Sequence, residues 1–156
     1  MIKAEELRIG DLVRVSSDNC MIPKGALCKV VAIDSERTCE DKKELASLLQ
    51  IVREEWDFSH GVWCDGIEGI PITPEILEKN GWEKNIFYVQ LQKSVRERYE
   101  YTLPGTDLII DYRPYIAMNS QKFSMICGCF MLKYIQYIHE LQHILWALGM
   151  DAELKI

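Results

Sequence analysis

Apolar and polar positions alternate at short range in the first third of the chain. Leu12-Val13-Arg14-Val15 follows the turn Gly10-Asp11 and nearly alternates. Ala26-Leu27-Cys28-Lys29-Val30-Val31-Ala32-Ile33 is β-branched up to Asp34-Ser35. These are the marks of two short strands, with the turn-rich Ser16 to Gly25 between them. Glu36 to Glu44 is charged and reads as solvated. Leu45, Leu48, Leu49 and Val52 then recur at helical spacing, which predicts over Glu40 to Arg53 a helix that could continue as a strand. Trp56 to Pro71 holds three glycines with Ile67 and Ile70 and reads as one or two closing strands. Short strands and tight turns over roughly 70 residues predict a small barrel-like β module.

Thr73-Pro74-Glu75-Ile76-Leu77-Glu78-Lys79-Asn80-Gly81 predicts a short helix. Thr73 suits the N-cap, Pro74 the first helical position, Glu75 the positive end of the dipole, and Asn80-Gly81 the left-handed stop. Strands are expected at Ile86 to Gln92, Arg96 to Leu103, Leu108 to Asp111 and Tyr115 to Met118, with Pro104-Gly105-Thr106-Asp107 as a reverse turn. Lys122 to Gln136 is apolar and reads as one long strand or a helix entry. A final helix is expected from Tyr137 to Leu148, stopped by Gly149. Runs of antiparallel strands with helices at their ends predict an α+β protein. Its expected division is a β module over residues 1–71 and an α+β module over 72–156.

Composition narrows the partners. The 156 residues are 48% hydrophobic and 27% charged, in the range of globular chains. The net charge is −6, of which residues 1–72 carry −5 and residues 73–156 carry −1. A nucleic-acid or anionic-membrane binder needs a positive surface, so nucleic acid is an unlikely partner. Residues 1–6 hold two acids and no apolar core of a signal peptide. The longest apolar stretch, Met125 to Leu132, is far short of a membrane span. Cys20, Cys28, Cys39, Cys64, Cys127 and Cys129 form no CxxC pair and read as reduced cytoplasmic thiols. Cys127-Gly128-Cys129 has no second pair with which to build a zinc ribbon.

One motif carries chemistry. His139-Glu140-Leu141-Gln142-His143 matches H-E-x-x-H, in which two imidazoles on one helix face bind zinc while the glutamate polarises a water. Ile138, Leu141, Ile144, Leu145 and Leu148 form the expected core stripe. His139, His143, Trp146 and Met150 lie almost opposite it, toward a second layer, a cleft or solvent. Catalytic zinc needs a third protein ligand. The position six residues beyond His143 is Gly149, and the remaining histidine, His60, lies in the first half of the chain. The pentapeptide is therefore read as structural, with no cofactor and no catalytic residue; the zinc alternative would use His139 and His143 as ligands and Glu140 as base. Arg96, Arg98 and Lys93 with Tyr99 and Tyr101 are interleaved by Glu97 and Glu100, and read as a solvated strand edge.

Two stretches carry a resemblance. Ile67-Glu68-Gly69-Ile70-Pro71-Ile72-Thr73-Pro74-Glu75-Ile76-Leu77-Glu78-Lys79-Asn80-Gly81-Trp82 and Tyr137-Ile138-His139-Glu140-Leu141-Gln142-His143-Ile144-Leu145-Trp146-Ala147-Leu148-Gly149 resemble the paired signatures of a family of small uncharacterised proteins. That family comes from gut anaerobic bacteria and their prophages. Its pattern often places Gln and Asn where Glu140 and His143 stand, which implies that the H-E-x-x-H is incidental. Separately, Gly10 to Val15 followed by Lys24 to Ile33 resembles the first two strands of an SH3-like barrel, a fold that binds proteins, peptides or nucleic acid. Fold alone does not give function.

The expected function is a non-enzymatic binding or interaction protein of phage or mobile-element origin. It would contact a protein partner through the barrel or through His139, His143 and Trp146. The alternatives are a zinc-dependent hydrolase and a nucleic-acid-binding module.

Overall fold

The computed structural model describes residues 3–17, 22–39, 44–53, 59–91, 94–115 and 123–156. The chain divides into two compact units, residues 1–70 and 71–156. It is α+β, with two five-stranded antiparallel sheets and two short helices.

The first unit holds β1 (Leu12–Val15), β2 (Leu27–Cys39), β3 (Glu44–Val52), β4 (His60–Trp63) and β5 (Ile67–Gly69). The helix expected over Glu40 to Arg53 is instead β3 where the structure describes it. Leu45, Leu48 and Leu49 satisfy either period in a short apolar run, and pairing with β2 and β4 decides for the strand. The sheet order is β4-β3-β2-β1-β5. Only the turn Cys64–Gly66 links β4 to β5, although they are the two edges. In a flat sheet these edges would lie about 19 Å apart, at ~4.8 Å per strand. Three intervening residues reach at most about 14 Å, so the sheet must roll its edges toward each other. β2 bends at two register shifts, between Val30 and Ala32 and between Asp34 and Arg37. Val13, Val15, Cys28, Val30, Ile51, Val62 and Ile67, drawn from all five strands, share one core. Among the described residues β4 and β5 are not paired, so the roll does not close into a barrel.

The second unit begins with α1 (Pro74–Lys79), whose Thr73 Oγ1 accepts the Ile76 amide at 3.4 Å. Gly81 follows in the left-handed region at φ 82°. A meander follows: β6 (Glu83–Leu91), β7 (Ser94–Thr102), β8 (Leu108–Tyr112), β9 (Phe123–Cys127) and β10 (Phe130–Ile135), then α2 (Ile138–Ala147). The apolar run expected as one element over Lys122 to Gln136 is a hairpin, because Gly128 takes φ 57° and turns the chain. Of the strand expected at Tyr115 to Met118, Tyr115 lies in a turn and the rest lies outside the described residues. Tyr101, Ile110, Met125, Phe123 and Ile135 are buried on one sheet face, and α1 and α2 add Leu77, Ile138, Leu141 and Leu145 to the core. No helix among the described residues is long and apolar enough to cross a membrane.

One core group is costly. The Tyr101 hydroxyl is buried without a hydrogen-bond partner. Burial, reinforced by the Glu78 carboxylate, pushes its phenol far above the ordinary range. A buried polar group without a partner costs about 1–3 kcal/mol, and its removal relieves that cost. Tyr101→Phe is therefore expected to stabilise the protein by about 1 kcal/mol in urea unfolding. A loss of stability of that size would mean that the hydroxyl is satisfied in solution.

Candidate functional site

α2 begins where the chain leaves β10. Pro71 and Tyr137 form an isolated antiparallel bridge, and the Ile72 amide donates to the Gln136 carbonyl at 2.9 Å. These contacts bring together the two stretches that carry the family resemblance.

The three H-E-x-x-H side chains sit in different environments. Glu140 reaches back over the helix start, where its Oε2 accepts the Gln136 amide at 2.7 Å and the Tyr137 amide at 3.1 Å. Its Oε1 accepts Lys133 Nζ at 2.7 Å. Burial pushes this carboxyl up, but the Lys133 ammonium and the two amides outweigh it and hold it below the usual value. A base for water activation is best poised near neutral pH; Glu140 is instead held below the usual carboxylate value, with three hydrogen bonds from its helix cap and Lys133. His139 is only 3% exposed. Its ring stacks on Tyr137 at 5.7 Å and meets the half-buried His143 edge-on at 5.9 Å.

Gln142 is buried and donates Nε2 to the Ala152 carbonyl at 3.1 Å. Residues 150–156 thereby run back along the unit. Asn80 grips Lys155 from both sides, with Nδ2 to its carbonyl at 2.8 Å and Oδ1 from its amide at 2.8 Å. Gln142 and Asn80 thus hold the same tail.

This changes the expected helix face. The buried residues are Ile138, His139, Leu141, Gln142 and Leu145, while Leu148 is exposed and Ile144 only half-buried. The buried face extends through Gln142, which meets the returning tail at Ala152, a contact that periodicity within the helix cannot register. Of the face expected to make contact, His139 is buried, His143 half-buried and Trp146 66% exposed.

Two imidazoles share the helix, but the glutamate is committed to the cap. Among the described residues no three His, Cys, Asp or Glu side chains are grouped to hold a metal ion. His60 lies half-buried on β4 of the first unit. Cys127 and Cys129 are free thiols flanking the turn at Gly128.

A different feature of the second unit escaped the sequence reading. β6 and β7 pair over nine positions, from Glu83 opposite Thr102 to Leu91 opposite Ser94, whereas β8 pairs only with Tyr99 to Thr102. The rest of the hairpin extends beyond β8 as a two-stranded ribbon. Phe87, Tyr88, Leu91 and Val95 are exposed on it, with Ile86 at its root, and Phe130, Met131, Leu132 and Tyr134 are exposed on β10. The signal was present in Ile86-Phe87-Tyr88-Val89, where consecutive apolar residues place apolar side chains on both faces of one strand. Arg98 pairs with Asp111 at 2.7 Å and Glu100 at 2.6 Å, so this basic residue is neutralised within the sheet.

No family model matches the chain, and no curated protein or solved structure matches it.

Proposed function

We propose that this chain is a non-enzymatic interaction protein of phage or mobile-element origin, working in the cytoplasm against a protein partner. The observation that carries this reading is the apolar surface of the second unit. Single exposed apolar residues are ordinary, but several close in sequence, on the ribbon at one sheet edge and on the strand at the other, mark contact surfaces. The free thiols Cys28, Cys127 and Cys129 suit a reducing compartment. The paired signatures around Thr73 and His139 support the phage-related origin. A net charge of −5 over residues 1–72 argues against nucleic acid.

The first unit is, in this proposal, an SH3-like fold, an open roll of five strands. Its support is the strand order β4-β3-β2-β1-β5, the short turn joining the two edges, and one core shared by all five strands.

A photoreactive amino acid at Tyr88, 70% exposed, tests the contact surface in cells, with Lys24 as the exposed control on the first unit. Protein adducts are expected at Tyr88 and not at Lys24. Metal analysis of the purified chain completes the test. Absence of adducts, with stoichiometric zinc that is lost in His139→Ala or His143→Ala, would replace this reading with the zinc hydrolase.

A further inference from the structure

The sheet edges of this protein are not alike. In the first unit the edge strands β4 and β5 are four and three residues long, and the roll of the sheet brings them together. β10 is broken by a register shift between Met131 and Lys133, and its Lys133 is tied to Glu140. Shortness, bulges and an edge lysine are the devices by which proteins keep strand edges from pairing with other chains. β6 has none of them at its centre. It runs nine residues in unbroken register with β7, without proline, and its charges, Glu83 and Lys84, stand at one end. The middle, Ile86-Phe87-Tyr88, is 50%, 44% and 70% exposed.

Resting on the interaction reading above, we propose that the occupant of this edge is a second copy of the chain, with the two β6 strands pairing antiparallel about a two-fold axis at Phe87. A two-fold contact must be self-complementary, so that residue i meets j and j meets i. Phe87 is the midpoint of β6, so this register pairs all nine residues, and any shift leaves an overhang. It sets Phe87 against Phe87, Ile86 against Tyr88, Asn85 against Val89, Lys84 against Gln90 and Glu83 against Leu91. No like charges face each other. The central pairs are aromatic with aromatic and β-branched with aromatic, among the favourable cross-strand pairs.

The flanking strands agree with this register. Arg96 lies opposite Val89, and Glu100 lies opposite Asn85. Pairing Val89 with the second copy's Asn85 therefore brings Arg96 of one copy into the same row as Glu100 of the other. Arg98, whose guanidinium lies 6.0 Å from the Phe87 ring, flanks the phenylalanine pair on both sides. The result is one continuous ten-stranded sheet in which the ribbon's apolar residues lie at the centre.

Light scattering on the eluting full chain at roughly 100 μM is expected to give a dimer, since assembly follows mass action. Amides of β6 should become more protected from hydrogen exchange as concentration rises. Phe87→Lys puts two ammonium groups on the axis and should weaken the dimer by about 100-fold, a hot-spot-sized loss. Phe130→Lys on β10 should leave it dimeric. Phe87→Cys supplies a test that does not depend on losing the interface. Its new thiols face each other, so mild oxidation should give a reducible covalent dimer that wild type and Leu132→Cys do not form. A monomeric wild type, or a dimer indifferent to Phe87→Lys, overturns the proposal. If the chain is monomeric while Tyr88 still forms adducts with another protein, the second copy is excluded and the interaction reading stands. If it is monomeric without adducts, both fall.

Discussion

Replacing Arg98 and Arg113 together with Met is expected to cost about 3–5 kcal/mol of unfolding free energy. Asp111 is the reason. It sits on β8 with its side chain 1% exposed, and its carboxylate is held from two sides. Arg98 Nε donates to Oδ1 at 2.7 Å, and Arg113 Nε donates to Oδ2 at 2.9 Å. Removing both cations strands a charge in a medium that cannot solvate it, and that penalty exceeds the value of the pair itself. Arg98 matters more than Arg113, which is 45% exposed and screened by water. Adding Asp111→Leu to the double variant removes the stranded charge and should recover most of the loss. Urea unfolding at one fixed protein concentration reads all three variants. A double variant within about 1 kcal/mol of wild type would show that water reaches Asp111. Failure of Asp111→Leu to recover stability would mean that the arginine stems matter through packing. The cluster has a position to hold as well as a charge to satisfy. Arg98 lies one residue beyond the last β7–β8 pair, so it anchors the root of the ribbon that carries the β6 edge.

How far the sequence could be read depended on where each element's stabilisation comes from. α1 was legible because its limits are local: Thr73 caps an amide three residues ahead and Gly81 takes the left-handed turn. β1, the first half of β2, β6, β7 and β8 were legible because β-branched and aromatic residues cluster between turn residues; the charged second half of β2, expected as solvated from Glu36, runs on as strand to Cys39 by pairing with β3. β3 was not legible. Its leucines fit two periods, and only the neighbouring strands select one. The hairpin of β9 and β10 was hidden because Cys127-Gly128-Cys129 reads as apolar, although a glycine within an apolar run is itself a turn signal.

The site had the same character. The H-E-x-x-H pattern shows which side chains share a helix, but not that Lys133 and the Gln136 amide wait at its start. Nor does it show that the tail meets Gln142 at Ala152 and Asn80 at Lys155. Those partners lie four to ten residues from the motif or on another helix.

Glu140→Ala is expected to cost about 2 kcal/mol at neutral pH, the upper end of the value of a helix cap. The loss combines two backbone amides left without their acceptor and one ion pair with Lys133. Its pH dependence has a definite sign. The folded carboxyl titrates below its ordinary value, so the folded state binds the proton less readily than the unfolded chain. Stability from this group is complete above the unfolded value, about 4.3, and is lost as the pH falls through the lower folded one. The gap between wild type and Glu140→Ala should therefore be constant from neutrality down to about pH 5 and close progressively below it. Glu140→Gln keeps an acceptor for the amides but loses the charge, so it should cost less and show little of that acid slope. A catalytic base behaves differently, because its removal abolishes turnover while leaving the helix start intact. Stability unchanged within about 0.5 kcal/mol in Glu140→Ala, or a gap that widens in acid, would return Glu140 to the list of groups free to do chemistry.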